Sequence, residues 1–300
     1  MRDAPAIREA LVESLDHDGR GVSHVDGKTI FIEGALPGER VSFASYKVKP
    51  NYEQAEVVRV LEASSQRVAP ACEYFGVCGG CSMQHLEPSA QVAAKQRVLE
   101  NALWHIGRVR PEVLYPAIVG PAWGYRYRAR LTVRQVPSKG GILIGFHERR
   151  SSYISDMRRC PILPPHVSAL LPGLHELVAA LSIPDRIPQI EVAVGEGITV
   201  LVFRHLLPLT KKDEAILRAF GETAGVQIWL QLTGPDSCRR LHPADAPGLA
   251  YTLPEFGVSM AFRPTDFTQV NMGINRLLMR RSMQLLDPQP GERIGDLFCG

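Results

Sequence analysis

Residues 24–48, HVDGKTIFIEGALPGERVSFASYKV, decide how the N-terminal part of this chain folds. Asp26-Gly27 stands between two β-prone runs and reads as a hairpin turn, because the tight turns that join strands need left-handed backbone at their centre. Leu36-Pro37-Gly38-Glu39 marks a second turn. Between the turns Ile30 and Ile32 alternate with residues of the opposite face, as do Val41 and Phe43. The run Glu56-Val57-Val58-Arg59-Val60-Leu61 adds a closing strand. About four or five short strands within residues 6–62 predict a small barrel of the OB type, since closure leaves no unpaired strand edge.

Working outward, residues 62–71 (EASSQRVAPA) form a polar linker and residues 71–86 (ACEYFGVCGGCSMQHL) a cysteine-rich knot. A helix is predicted from Pro88 to His105, with Val92, Leu99, Leu103 and Ile106 on one stripe and Gly107 as its stop. Strands are predicted over 125–136, 142–147, 190–194, 199–204 and 226–232, with helical stretches over 166–181 and 211–224. Residues 110–260 thus read as α+β. Near the end, Ile274, Leu277, Leu278 and Leu285 make an amphipathic helix stripe. Asp287-Pro288 and Pro290-Gly291 break it, a strand is expected from Arg293 to Phe298, and a glycine follows. Helix, turn, strand and glycine loop in this order are similar to the opening of a doubly wound α/β nucleotide-binding domain. Gly300 is an unusual place for such a domain to stop, so a truncation there is expected.

The 300 residues are 45% hydrophobic and 22% charged, the balance of a globular protein rather than a disordered one. No run reaches the ~18 apolar residues of a membrane span. The first twenty residues lack the apolar core of a secretory signal. A cytoplasmic location follows as the expectation, and with it the six cysteines read as ligands or thiols before disulfides. The net charge of +3 is unevenly spread. Residues 95–160 hold thirteen Lys/Arg against four Asp/Glu, which fits either a phosphate-rich partner such as RNA or a solvated basic face.

Cys72, Cys78 and Cys81 form a C-x5-C-x2-C cluster, and Gly76, Gly79 and Gly80 let the backbone fold tightly around it. Cys160, in MRRCPIL, is the natural fourth thiolate. Three close cysteines and one distant one followed by proline favour iron–sulfur ligation, with structural zinc and redox-active or uninvolved thiols as the alternatives. In YRYRARLTVR, Arg126, Arg128, Arg130 and Arg134 share one strand face and Tyr125, Tyr127, Leu131 and Val133 the other. Such a row either tracks a phosphate backbone or keeps an exposed edge soluble. Arg149-Arg150 and Arg158-Arg159 extend the basic character. In DFTQVN, Asp266, Thr268 or Asn271 reads as a helix cap, and Gln269 alternatively offers an amide to a ligand. Cys238 and Cys299 read as small apolar residues rather than nucleophiles.

The ordered motifs CEYFGVCGGC, GYRYRAR, RRCPIL, DFTQVN and DLFCG behind a barrel resemble the bacterial S-adenosylmethionine-dependent RNA uracil-5-methyltransferases, in the ribosomal branch that carries a TRAM domain and a [4Fe–4S] cluster. The resemblance implies an OB-like TRAM barrel over 1–66, with HDGRGV (His17–Val22) inside it. It implies a central α+β iron–sulfur domain over 67–264 and the start of a Rossmann-like methyltransferase domain over 265–300. It makes Cys72, Cys78, Cys81 and Cys160 the cluster ligands, Gln269 a contact to S-adenosylmethionine and Phe298 part of that pocket. The implied reaction is methylation of C5 of a 23S rRNA uridine by a monomeric enzyme. Its nucleophilic cysteine and general base are expected beyond residue 300, so a 300-residue piece is expected to be inactive. Gly295 departs from the bulkier residue usual before DLFCG. The alternatives are a non-catalytic RNA-binding module with a structural metal site, or a related methyltransferase acting on tRNA or another rRNA uridine.

Overall fold

The computed structural model describes residues 6–297, which fall into two compact units. Met1–Ala117 and Leu143–Pro161 make the first; Ile118–Ile142 and Ile162–Gly300 make the second.

The first unit opens with strands β1 (Ile7–Leu11), β2 (Ser14–Leu15), β3 (Gly21–Val25), β4 (Lys28–Glu33), β5 (Arg40–Val48) and β6 (Tyr52–Glu62), arranged β1-β5-β6-β4-β3-β2. The two ends of this sheet, β1 and β2, are successive pieces of one bent strand. Val12 at the bend donates to the Glu39 carbonyl at 2.9 Å, and Glu13 donates to the Val22 carbonyl at 2.8 Å. The sheet therefore closes on itself. The sixth strand, beyond the four or five expected, arises from that break.

Val12, Ile30, Ile32, Ala35, Val41, Phe43 and Ala55 fill the barrel, so the predicted alternation of Ile30/Ile32 and Val41/Phe43 points inward as expected. Gly21 is required by space: a Cβ there would lie 2.8 Å from side-chain atoms of both Val12 and Ala35. Asp26 (φ 50°) and Gly27 (φ 76°) make the hairpin turn read from the sequence.

Beyond the barrel come the irregular knot and helix α1 (Pro88–Asn101), which passes into one π-helical turn over Ala102–Ile106. The predicted stripe is not a packing face. None of these helical residues is buried; Leu99 is 52% and Ile106 84% exposed, because no strand or helix of the described unit covers them.

The second unit holds β7 (Arg128–Val136), the start of β8 (Gly141–Gly145), short helix α2 (Pro165–Ser168), α3 (Leu171–Ala180), β9 (Gln189–Val194), β10 (Thr199–Arg204), α4 (Lys211–Ala224), β11 (Gln227–Gln231) and β12 (Arg239–His242). Its sheet runs β12-β11-β10-β9-β7. Only β10 and β11 in that run are parallel, and α4 supplies the crossover that a parallel pair needs. A capping box starts α4: Thr210 accepts from the Asp213 N–H at 3.1 Å and Asp213 accepts from the Thr210 N–H at 2.9 Å. The hairpin of β13 (Leu249–Leu253) and β14 (Val258–Phe262) precedes α5 (Met272–Leu286).

The strand expected over 293–298 is not formed in its described part. Residues 293–297 are irregular and exposed, and among the described residues no strand lies beside them to complete a ladder. Phe298, Cys299 and Gly300 lie outside the described residues. Among the described helices none is long and apolar enough to cross a membrane.

Candidate functional site

The cysteine knot is built by backbone turns in the first unit. Phe75 donates to the Cys72 carbonyl at 3.1 Å and Cys78 to the Tyr74 carbonyl at 2.9 Å, winding the first five-residue gap into a tight loop. Gly76 turns this loop at φ 94°. Gly79 donates to the His147 carbonyl at 2.9 Å, and a Cβ on Gly79 would lie only 3.0 Å from that oxygen. The Gly80 N–H points at the Cys78 sulfur at 3.4 Å. Cys78 is buried, Cys72 and Cys81 half-buried. Burial pushes the Cys78 thiol up; the Gly80 N–H and Arg149 oppose this, and the neighbouring Cys81 and Cys72 thiols add to it.

Cys160, 5% exposed, lies on the segment that returns to this unit. The residues before it are tied to the knot: Arg158 N–H donates to the Tyr74 hydroxyl at 3.0 Å and Arg159 Nη2 to the Ala71 carbonyl at 3.3 Å. The backbone just before Cys160 is thus held against the loop that carries Cys72. The knot cysteines do not form a set of three or more with all ligand atoms within 4.8 Å of one another. Among the described residues, the trio with ligand atoms all within 4.8 Å of one another is Asp16, His17 and Asp18, whose carboxylates both pair with Arg20 at 2.6 and 3.0 Å.

Two buried groups beside the knot were not legible in the sequence. Glu39 is fully buried and accepts from Arg67 Nε (2.5 Å) and Nη2 (2.7 Å) and from the Leu36 (2.9 Å) and Ser64 (3.2 Å) N–H groups. Burial pushes its carboxyl up, but these donors more than offset that and hold it below the usual range. His85 is 2% exposed and its ring lies 5.3 Å from that of Phe75. Burial, helped by Arg67 and Arg149, lowers its pKa to about 4.

In the second unit, two sequence motifs prove to be one structure. The Arg128 guanidinium donates to the Pro264 carbonyl at 2.6 Å, and Tyr127 N–H donates to the Val270 carbonyl at 2.7 Å, so GYRYRAR holds both ends of DFTQVN. Asp266 accepts from Arg263 N–H at 2.7 Å and Nε at 3.1 Å, closing the turn. Of the three candidate caps, Asn271 takes the role, accepting from Ile274 N–H at 3.0 Å. Gln269 is exposed on this pinned loop, and next to it the Thr268 hydroxyl is buried with no hydrogen-bond partner.

The arginine row is only partly a surface feature. Ala129, Leu131 and Val133 face the core, and Arg130 and Arg134 are exposed on the opposite face. Arg126 precedes the strand and turns its Nε to the Arg128 carbonyl at 3.2 Å. Arg128 is spent on the loop, and Arg130 reaches Glu191 at 3.2 Å. Cys238 is half-buried, and burial with Glu191 nearby raises its pKa to about 11, which suits a thiol rather than a nucleophile.

The TRAM domain model matches residues 6–58, the barrel. The chain is 68% identical over 291 residues to the 23S rRNA (uracil(1939)-C(5))-methyltransferase RlmD of Aromatoleum aromaticum, covering 97% of this chain and 67% of that protein. It is 61% identical to the protein of the same name from Bordetella pertussis, covering 96% of this chain and 62% of that one. The structure also resembles the Pyrococcus abyssi tRNA (uracil-54, C5)-methyltransferase solved with S-adenosyl-L-homocysteine. The TM-score is 0.62 at 18% identity, over 92% of this chain and 65% of that one, a likeness of fold.

Proposed function

Because this chain belongs to the 23S rRNA (uracil-C5)-methyltransferase family, we propose that the protein methylates C5 of a 23S rRNA uridine, the one its relatives' name numbers 1939. The observation that carries this is 68% identity running through nearly the whole chain. The chain spans about two thirds of the length of that relative, so the proposal is made for the whole protein, acting as a monomer in the cytoplasm.

S-adenosylmethionine supplies the methyl group when bound. Uracil C5 is a poor nucleophile until a thiolate adds at C6; C5 then takes the methyl group, and a base removes the C5 proton as the C6–S bond breaks and the thiolate leaves. Among the described residues no cysteine is suited to that addition: four are gathered at the knot and Cys238 is held protonated. The nucleophile, and with it the base, are assigned outside residues 6–297 on the family's pattern. What this chain contributes is positioning. The loop that Arg128 and Tyr127 pin presents the exposed Gln269 amide, a donor and acceptor that fits the polar end of the methyl donor. Phe298 is assigned to the same pocket. Arg130 and Arg134, exposed on β7, are assigned to RNA phosphates.

Cys72, Cys78, Cys81 and Cys160 are assigned to a [4Fe–4S] cluster. Two observations support it: the backbone before Cys160 is tied to the knot, and the Gly80 N–H aims at sulfur as donors around such clusters do. No step of methyl transfer exchanges electrons, so the cluster's part is to hold the first unit in shape.

The test uses the whole protein with labelled S-adenosylmethionine and 23S rRNA from cells lacking the modification. Label is expected in one uridine and lost when that base is changed to cytidine. Transfer to tRNA alone overturns the rRNA assignment.

A further inference from the structure

His85 lies four residues past Cys81, 2% exposed, and neither of its ring nitrogens has a hydrogen-bond partner. An imidazole carries at least one N–H in every ordinary protonation state, and leaving it unpaired in the interior is unfavourable. The adjacent Gln84 carboxamide oxygen is also buried without a partner. Orphaned polar atoms of this kind ask for a group that completes them.

The surroundings narrow what that group is. The His85 ring stacks on Phe75 at 5.3 Å, and Phe75 donates its own N–H to the Cys72 carbonyl. The Arg149 guanidinium lies over the same Phe75 ring at 5.3 Å and its Nη2 donates to the Cys81 carbonyl at 2.5 Å. The imidazole is therefore packed into the wall of the loop that carries three cysteines. We propose that His85 donates a ring N–H to a sulfur of the iron–sulfur cluster, as a positioning residue that sets the cluster's potential and stability rather than as a ligand. This rests on the cluster assignment above. Hydrogen bonds to sulfur stabilise the more negative, reduced cluster and raise its potential.

The experiment takes this chain, loaded anaerobically with ferrous iron and sulfide, as wild type, His85→Phe and His85→Gln. Iron and sulfide per chain are measured first, then the midpoint potential by EPR-monitored titration. The reduced wild type, labelled with 15N-histidine, is examined by electron–nuclear double resonance. Equal iron in all three, a more negative potential in His85→Phe, recovery in His85→Gln and a 15N coupling in the wild type are expected. Equal potentials with no 15N coupling overturn the inference and give the imidazole a buried water as its partner. If His85→Phe fails to fold, the labelled wild type decides alone. If the wild type takes up zinc or no metal at all, the cluster assignment falls, an outcome distinct from iron uptake with an indifferent His85.

Discussion

The Arg128 guanidinium donates to the Pro264 carbonyl at 2.6 Å, a contact between residues 136 apart in the chain. It is half-buried, so the charge is desolvated and committed to the loop. A hydrogen bond from a charged donor is worth about 1.5–3 kcal/mol, enough to decide whether an exposed loop has one conformation or several.

Arg128→Ala is expected to lower stability by about 2 kcal/mol. In the whole protein it should weaken S-adenosylhomocysteine binding by about tenfold, through the displaced 264–270 loop. Calorimetry with the cofactor product checks it. Unchanged affinity beside lower stability would make the contact purely structural.

Serine at Cys72, Cys78, Cys81 or Cys160 is expected to abolish loading of about four irons and four sulfides per chain, while Cys238→Ser leaves it intact. Anaerobic purification with metal analysis decides this. One zinc per chain, lost on the same substitutions, would replace the cluster by a structural zinc site.

Asp213 accepts from Ser182 N–H (2.7 Å), Ser182 Oγ (2.6 Å), Thr210 N–H (2.9 Å) and Thr210 Oγ1 (2.7 Å). Burial pushes its carboxyl up, and these four donors prevail and bring it to about 2 from the ordinary 3.8. A carboxyl lowered on folding stabilises the fold above its unfolded pKa and loses that contribution as pH falls toward the folded one. Asp213→Ala should cost about 2 kcal/mol at neutral pH, and the gap to wild type should shrink between about pH 4 and pH 2. Urea unfolding across that range measures it.

Fully buried Glu39 and half-buried Arg67 form an ion pair on which the buried carboxylate depends. Arg67→Met strands the Glu39 carboxylate and is expected to destabilise the first unit by about 3 kcal/mol, less when Glu39→Leu is added. Thermal melts of the two variants test the coupling.

The barrel was legible because its turns and its period-two apolar residues are local signals: Asp26-Gly27, Ile30/Ile32 and Val41/Phe43 all took their expected places. Helix α4 formed over the predicted 211–224 stretch, and the structure adds the Thr210 cap and Gly225 stop that the sequence reading did not name. The roles of Arg128 and His85 were not legible. A period of two places Arg128 on a face, but only the chain 136 residues later supplies the Pro264 carbonyl that turns it inward. His85 resembles any surface-compatible polar residue until Phe75 and the returning Arg149 enclose it. The strand expected at 293–298 failed in its described part because a ladder needs a neighbour, which periodicity cannot reveal.

The first unit is made of two stretches of chain, Met1–Ala117 and Leu143–Pro161, with β7 of the other unit lying between them in sequence. During synthesis the barrel is complete once residue 62 has emerged, but the wall of the knot that carries His147, Arg149 and Cys160 is not yet made. The three early cysteines must wait, solvent-accessible, for roughly 80 further residues, several seconds at ordinary translation rates. Assembly of this protein thus has an enforced sequence in time: a finished barrel first, then an interval in which the loop with the three cysteines lacks its partner segment, then closure.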